Sequence, residues 1–267
     1  MLNIIVLVKQ VPEIEKVKFD YESGRINRSS AGVTTNPFDL NAIETAVQIR
    51  EKVGGYIAAI SMGPASAEET LRDALARGAD KGILLTDERF AGADTLATAY
   101  TLAAAIRKIG RYDLIICGEK TVDGDTAQVG PEVAEFLGVS HAAYVEEVQH
   151  VDESRIIVKS RTERNYYTIE LSLPALITVT KDINTPRLPS LRDKLRAMRA
   201  PIIIWKYEDL SEVADPRYFG FEGSPTRVVR VFTPTTERRR CQMIDGSPEE
   251  VAKKIVQLLI EKRILTW

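Results

Sequence analysis

The chain has 267 residues, 44% of them hydrophobic, with 36 lysines and arginines against 38 acidic residues and a formal net charge of -2. That length and apolar content support one large core with appendages, and the balanced charge excludes a global pull towards nucleic acid or an anionic membrane. Cys117 and Cys241, far apart, exclude a disulfide framework or a cysteine-rich zinc site and fit a reducing compartment, with the cytoplasm as the default.

Leu2 to Val8 is a continuous aliphatic run ended by Lys9. It is too short for a targeting segment or a membrane span, so no direct membrane insertion is expected, and it suits a strand covered on both faces. Lys9 to Thr35 is polar, with a short strand at Val17 to Phe19 and a turn at Glu22-Ser23-Gly24. Asn36 is an N-cap candidate followed by Pro37, and Leu40, Ile43 and Val47 recur at helical spacing to about Lys52. Strand-like runs at Tyr56 to Ser61, Gly82 to Thr86 and Asp113 to Cys117 then alternate with helix-like runs at Ala65 to Arg77 and Asp94 to Ile109. This β-α-β-α-β-α-β order predicts a three-layer α/β fold, with right-handed crossovers and helices on both faces of a parallel sheet. Ligands then bind beyond the carboxyl ends of the strands, where Leu7, Met62 and the loop at Gly118 fall.

That loop, GEKTVDGDTAQVGPEVA over 118–134, leads from the strand into a helix ending near Gly138. Gly118, Gly124 and Gly130 permit unusual backbone, and the amides from Thr126 to Gly130 lie near a helix N-terminus, which attracts anions. The same residues also make an ordinary strand-to-helix turn, and the residues alone leave both readings open. Beyond it, Tyr144 to His150, Arg155 to Ser160 and Tyr166 to Leu171 predict an antiparallel meander, followed by a strand at Ala175 to Thr180. Asn184 to Arg199 is expected as a surface loop with leucines among basic residues, followed by a strand at Pro201 to Trp205. Glu208 to Gln242 lacks periodicity and is expected as an extended arm, and Ser247 to Lys262 as a helix. The resulting domains are 1–207, an α/β nucleotide-binding domain, and 208–267, an arm and helix.

No nucleophile constellation is visible, and the Walker and G-x-G-x-x-G patterns are absent, so no catalytic residue is assigned. His141 and His150 have no evident serine or cysteine partner. Asp123 and Asp125 beside glycine fit turn chemistry better than magnesium, so no metal is expected. The arginines Arg227, Arg230 and Arg238 to Arg240 fit a solvated face, and Cys117, closing an apolar strand, fits a buried inert thiol.

V-D-G-D-T-A-Q-V-G-P at 122–131, N-P-F-D at 36–39 and N-T-P-R-L-P-S-L-R at 184–192 together resemble the electron transfer flavoprotein β subunit. S-M-G-P at 61–64, L-P-A-L-I-T-V at 173–179 and G-S-P-T at 223–226 fit as well. The resemblance implies an adenine-nucleotide α-hydrolase-like fold without hydrolytic activity and an α-subunit partner that binds FAD. The cradle at Gly124 to Pro131 looks like the electron-bifurcating or Fix-type branch. That branch holds a second FAD where ordinary members hold AMP, takes a hydride from NADH, and sends electrons to a ferredoxin- or flavodoxin-like acceptor and a quinone or acyl-CoA system. An AMP-binding β subunit serving acyl-CoA dehydrogenases is the alternative. By the same resemblance, Leu7, Asn36, Pro37, Phe38, Asp39 and Met62 surround the nucleotide. Asp123, Gly124, Asp125, Thr126, Ala127, Gln128, Val129 and Gly130 hold ribose and phosphates. Pro186, Arg187, Leu188, Leu191 and Leu195 recognise a dehydrogenase or quinone oxidoreductase partner, with Leu191 at the leucine anchor, and the arm and last helix pack on the α subunit.

Between Lys159 and Glu170 the chain departs from the family, placing Arg161, Arg164, Asn165, Tyr166 and Tyr167 where an acidic, glycine-containing turn is usual. Two readings from other classes compete. One is a stand-alone nucleotide-binding stress-type module. The other is an ATP pyrophosphatase-like enzyme, which needs a glycine-serine loop where Lys9-Gln10-Val11-Pro12 stands.

Overall fold

A computed structural model of the chain describes residues 1–13, 18–20, 25–27, 32–227, 229 and 243–265. Val17, the turn at Glu22 to Gly24, Arg230, Arg238 to Arg240 and Cys241 lie outside the described residues. Contacts divide the chain into two compact units, Met1–Arg227 and Val228–Trp267.

The first unit begins with β1 (Leu2–Leu7) and the short strands β2 (Gln10–Pro12), β3 (Lys18–Asp20), β4 (Arg25–Asn27) and β5 (Val33–Thr35). There follow α1 (Pro37–Val53), β6 (Gly55–Met62), α2 (Glu68–Arg77), β7 (Lys81–Leu85), α3 (Thr95–Ile109), β8 (Leu114–Gly118) and α4 (Val129–Leu137). The sheet is completed by β9 (Ser140–Val151), β10 (Arg155–Arg161), β11 (Tyr166–Ser172) and β12 (Ala175–Val179), then α5 (Leu191–Arg199), β13 (Ile202–Trp205) and α6 (Tyr207–Ser211). Nine strands form one sheet in the order β11-β10-β9-β12-β8-β1-β6-β7-β13, parallel except that β10 runs antiparallel to β9 and β11. The expected three-layer α/β fold with an antiparallel edge is the observed one.

The layers follow from the all-apolar strands. Successive residues of a strand face opposite sides, so Ile4 and Val6 join the core under α1 and α2, while Ile5 and Leu7 join the core under α3 and α4. Fully burying an isoleucine or leucine contributes about 1.5–3 kcal/mol, so these central strands carry much of the core's stabilisation. Gly138, left-handed at φ 68, ends α4 where the sequence expects a stop.

Two expectations are corrected. Leu191–Arg199 is a helix, because Ser190 caps it by accepting from the Asp193 amide at 3.2 Å and Asp193 complements its first turn. The surface loop is therefore confined to Asn184–Ser190. The segment after 207 also begins inside the first unit: Leu210 and Phe219 are buried in the core, and Phe90, Tyr100 and Tyr207 pack around the Phe219 ring. That aromatic cluster holds the chain in the first unit as far as Arg227. In the second unit, α7 (Pro248–Glu261) starts with a capping box in which Ser247 and Glu250 satisfy each other's backbone N–H groups.

Candidate functional site

The carboxyl ends of β1, β6, β7 and β8 open into a cleft of about 1700 Å3. Leu7 and Met62 line its floor, Gly124 and Thr126 to Gly130 line one wall, and Thr86 to Leu96 line another. The strand-end loops converge there because parallel strands all deliver their carboxyl ends to one edge.

The loop after β8 is held from below. Asn36 sits at the N-cap position of α1 yet makes no cap bond; its amide donates to the Lys120 carbonyl at 2.9 Å and accepts from the Val122 amide at 3.2 Å. Asp39 is fully buried and accepts from two strand-end amides, Lys9 at 2.8 Å and Gly118 at 3.1 Å. Burial pushes its carboxyl up to about 7 against the opposing pull of these hydrogen bonds. Burial, and next the charge of Asp39, push the Cys117 thiol far up, so this free cysteine is an inert wall of the cleft.

The glycines serve differently from the expectation. Gly118, Gly124 and Gly130 are all outside the left-handed region, which is taken instead by Asp125 at φ 53 and Ala127 at φ 55. Such a conformation costs about 1–3 kcal/mol at a residue such as alanine, a level of strain that clusters at binding sites. Gly118 and Gly130 are needed for close approach. A Cβ at Gly118 would lie 2.6 Å from Asp39 Oδ1 and from Phe38 Cβ, and one at Gly130 would lie 2.6 Å from Thr178 Cγ2. Gly130 thereby seats the start of α4 against β12 and β8. Gln128, the N-cap of α4, makes no side-chain cap bond, and Pro131 has no N–H, so the Val129 and Gly130 amides keep their anion-binding capacity.

The rim is charged. Lys9 Nζ donates to both Asp123 oxygens at 2.9 and 2.7 Å, and Lys120 Nζ lies 2.7 Å from Asp125. Burial acts to raise the Asp123 carboxyl, but Lys9 and Thr121 hold it below its usual range. With each carboxylate held by a lysine, neither is disposed as a metal ligand, and among the described residues no group of three His, Cys, Asp or Glu is placed to hold a metal.

Of the expected nucleotide residues, Leu7, Asp39, Met62, Gly124 and Thr126 to Gly130 line the cleft. Asn36 and Phe38 lie behind it, against the loop after β8 and Gly118, Pro37 is exposed at the start of α1, and Asp123 and Asp125 stand outside its lining at the rim. Sequence reasoning missed Lys9, the wall from Thr86 to Leu96, Glu132 and Thr226. Only Lys9, the first charge after an apolar strand, carried a readable signal.

On the opposite side of the sheet from α3, the expected partner residues divide. Arg187 faces inward, bonding Glu44 at 2.8 and 3.0 Å and Glu51 at 2.7 Å, which fixes the loop onto α1. Burial alone would raise the Glu44 carboxyl, and the Arg187 guanidinium brings it below its usual range. Leu188, Leu191 and Leu195 face outward at 89%, 74% and 47% exposure, and Met198 extends the stripe at 68%. Among the described residues no helix is long and apolar enough to cross a membrane.

The electron transfer flavoprotein domain family matches residues 24–210. The electron transfer flavoprotein subunit beta of Thermoanaerobacterium thermosaccharolyticum is 42% identical over 265 residues, covering 99% of this chain and 100% of that one. Protein FixA of Azorhizobium caulinodans is 40% identical over 268 residues, covering 98% and 95%. The Caffeyl-CoA reductase-Etf complex subunit CarD of Acetobacterium woodii is 40% identical over 266 residues, covering 99% and 100%.

Proposed function

This chain belongs to the electron transfer flavoprotein family, as a β subunit of the Fix type, and we propose that its cleft holds FAD and receives electrons from NADH. The electrons then divide between a low-potential ferredoxin- or flavodoxin-like acceptor and a quinone- or acyl-CoA-linked one. The observation that carries this reading is the reach of the cleft's lining, which takes in the start of α4, Lys9 and Met62, Thr86 to Leu96 and Thr226, so that the anion-binding helix start and a second wall share one open cleft.

Bound FAD would supply hydride acceptance and single-electron transfer, the chemistry that protein side chains lack. The chain's own part is placement. The Val129 and Gly130 amides and the α4 dipole would hold the pyrophosphate, and Leu7, Met62 and Cys117 would keep water from the floor. Asp39, Asn36 and Gly118 fix that floor so that a cofactor binds without rearranging it.

An α subunit is the partner, as for β subunits of this family, with residues 208–267 contributing to that contact through the exposed apolar side chains of α7. The stripe of Leu188, Leu191, Leu195 and Met198 then engages a dehydrogenase or quinone oxidoreductase, and the assembly works in the cytoplasm. Nucleotide released from the purified αβ complex tests the proposal. Two FAD per complex is the expected result. One FAD and one AMP would overturn it in favour of a non-bifurcating β subunit serving acyl-CoA dehydrogenases.

A further inference from the structure

The second wall of the cleft has little to hold itself with. Between the turn at Glu88–Phe90 and the start of α3 stand Ala91, Gly92 and Ala93, whose side chains bring almost no apolar area to bury. A segment from far along the chain holds their backbone instead. The Phe221 amide donates to the Ala91 carbonyl at 3.0 Å, and the Asp94 amide donates to Ser224 Oγ at 2.8 Å. The Asp94 carboxylate caps α3 through the Ala97 amide at 3.1 Å and accepts from the Thr226 amide and hydroxyl at 3.0 and 2.7 Å. Ser224 is buried, and its hydroxyl donates to the Gly220 carbonyl at 2.8 Å, closing the segment on itself. Gly220 permits the close approach: it is left-handed at φ 56, and a Cβ there would collide with the Arg89 carbonyl oxygen. The G-S-P-T run at 223–226 thus belongs to a structure built against the cleft wall.

The two ends of this segment differ. Phe219, at its start, is fixed in the core among Phe90, Tyr100 and Tyr207. Its other end runs to Arg227, where the first unit stops and residues 228–267 continue the chain. Pro225 and Thr226 themselves line the cleft, so the segment is part of the wall that it holds. We propose that residues 219–226 are a clasp on the second wall, and that anchoring the following arm on a partner subunit tightens it, so that assembly and nucleotide retention favour each other. This rests on the readings of the cleft as a nucleotide site and of the arm as an α-subunit contact. Restraining the arm restricts the unclasped states, in which Asp94 and the backbone of the wall return to water. Ordering the wall costs conformational entropy, and a nucleotide that meets an ordered wall avoids that cost. By linkage, a nucleotide that orders the wall strengthens α-subunit binding by the same factor.

The test compares the wild type with Ser224→Ala, a position outside the cleft lining, and with Thr226→Val and Thr226→Ser. In the αβ complex emptied of β-cleft nucleotide, hydrogen exchange over residues 91–97 should quicken about 10- to 100-fold in Ser224→Ala and Thr226→Val, the range for one hydrogen bond to a charged group. Exchange in β1 and β8 should not change, and Thr226→Ser, which keeps the hydroxyl, should match the wild type. The dissociation constant between the β chain and the FAD-loaded α subunit is then measured with and without added FAD, and again with AMP. Nucleotide should tighten wild-type association about 5- to 150-fold, and Ser224→Ala and Thr226→Val should bring that ratio towards one. The wild type supplies a further measurement that needs no variant to fold: residues 91–97 should exchange more slowly in the αβ complex than in the free β chain. Equal rates there, unchanged exchange in both variants, or a ratio that the variants leave intact overturns the inference and leaves the nucleotide reading standing. A wild-type complex whose β cleft binds neither FAD nor AMP overturns the nucleotide reading and the coupling with it, while faster exchange in the variants still upholds the clasp.

Discussion

Gly130→Ala is the sharpest perturbation of the cradle. Gly130 lies in the first turn of α4, where alanine by itself is favoured over glycine by about 1 kcal/mol. Its added Cβ would lie 2.6 Å from Thr178 Cγ2 and 3.0 Å from Cys117 Sγ, against the roughly 3.5–4.0 Å of an ordinary carbon contact. Thr178 cannot swing aside freely, because its hydroxyl accepts from the Tyr144 amide at 3.1 Å. Overpacking of this kind costs about 1–3 kcal/mol, so the net effect is a loss of up to about 2 kcal/mol. The cheaper relief is an outward shift of α4, which carries the Val129 and Gly130 amides away from the proposed phosphate position. The assay is thermal melting of the complex together with nucleotide released per complex. Gly130→Ala should lower Tm by up to about 8 °C and deplete nucleotide from the β-subunit cleft. Adding Thr178→Ser, which removes the clashing methyl and keeps the hydroxyl, should restore about 1 kcal/mol in a double-mutant cycle. A Gly130→Ala complex with wild-type Tm and full nucleotide, or strictly additive effects of the two changes, would refute the reasoning.

Asp39 makes stability depend on pH with a definite sign. Its folded pKa, about 7, lies above the ordinary 3.8, so its destabilising burial is absent below about pH 4 and complete above about pH 7. Relative to Asp39→Asn, the wild type should lose up to about 4 kcal/mol between those limits in denaturant titrations; a pH-independent difference would remove the buried ionisation. Arg187→Ala should destabilise the fold by about 1–3 kcal/mol, because buried Glu44 loses the guanidinium and keeps only the Gln48 amide and the backbone N–H of residue 187 as donors, and a shift in the denaturation midpoint reports it. Leu191→Ala should leave that midpoint within about 0.5 kcal/mol while weakening electron transfer to the partner oxidoreductase, measured as a rise in its apparent KM for this complex; a large stability loss would place Leu191 in the fold instead.

The alternation of strands and helices, their stops and the strand-to-helix loop at 118–134 were legible in the residues themselves. Apolar runs such as Ile4-Ile5-Val6 must be covered on both faces, and Gly138 can stop a helix in the left-handed region, so these features are local and visible in one dimension. The ligand of the cradle was not, and its naming came from a family resemblance rather than from periodicity. The α5 helix was readable in Ser190 and Asp193 but was masked by the prolines and basic residues around it.

Only tertiary structure decided the rest. Insertion of β12 between β8 and β9 brings Thr178 against Gly130, so that glycine is required for close packing rather than for unusual backbone. Long-range pairing sends Arg187 inward to Glu44 and gathers Lys9, Asp39 and Gly118 at one sheet edge. It also sets Glu132 beside Thr95 with one oxygen unpaired. Periodicity reports how much of each residue is covered, whereas the identity of the covering atom depends on strand order and helix approach, which bring together residues 30 to 143 positions apart.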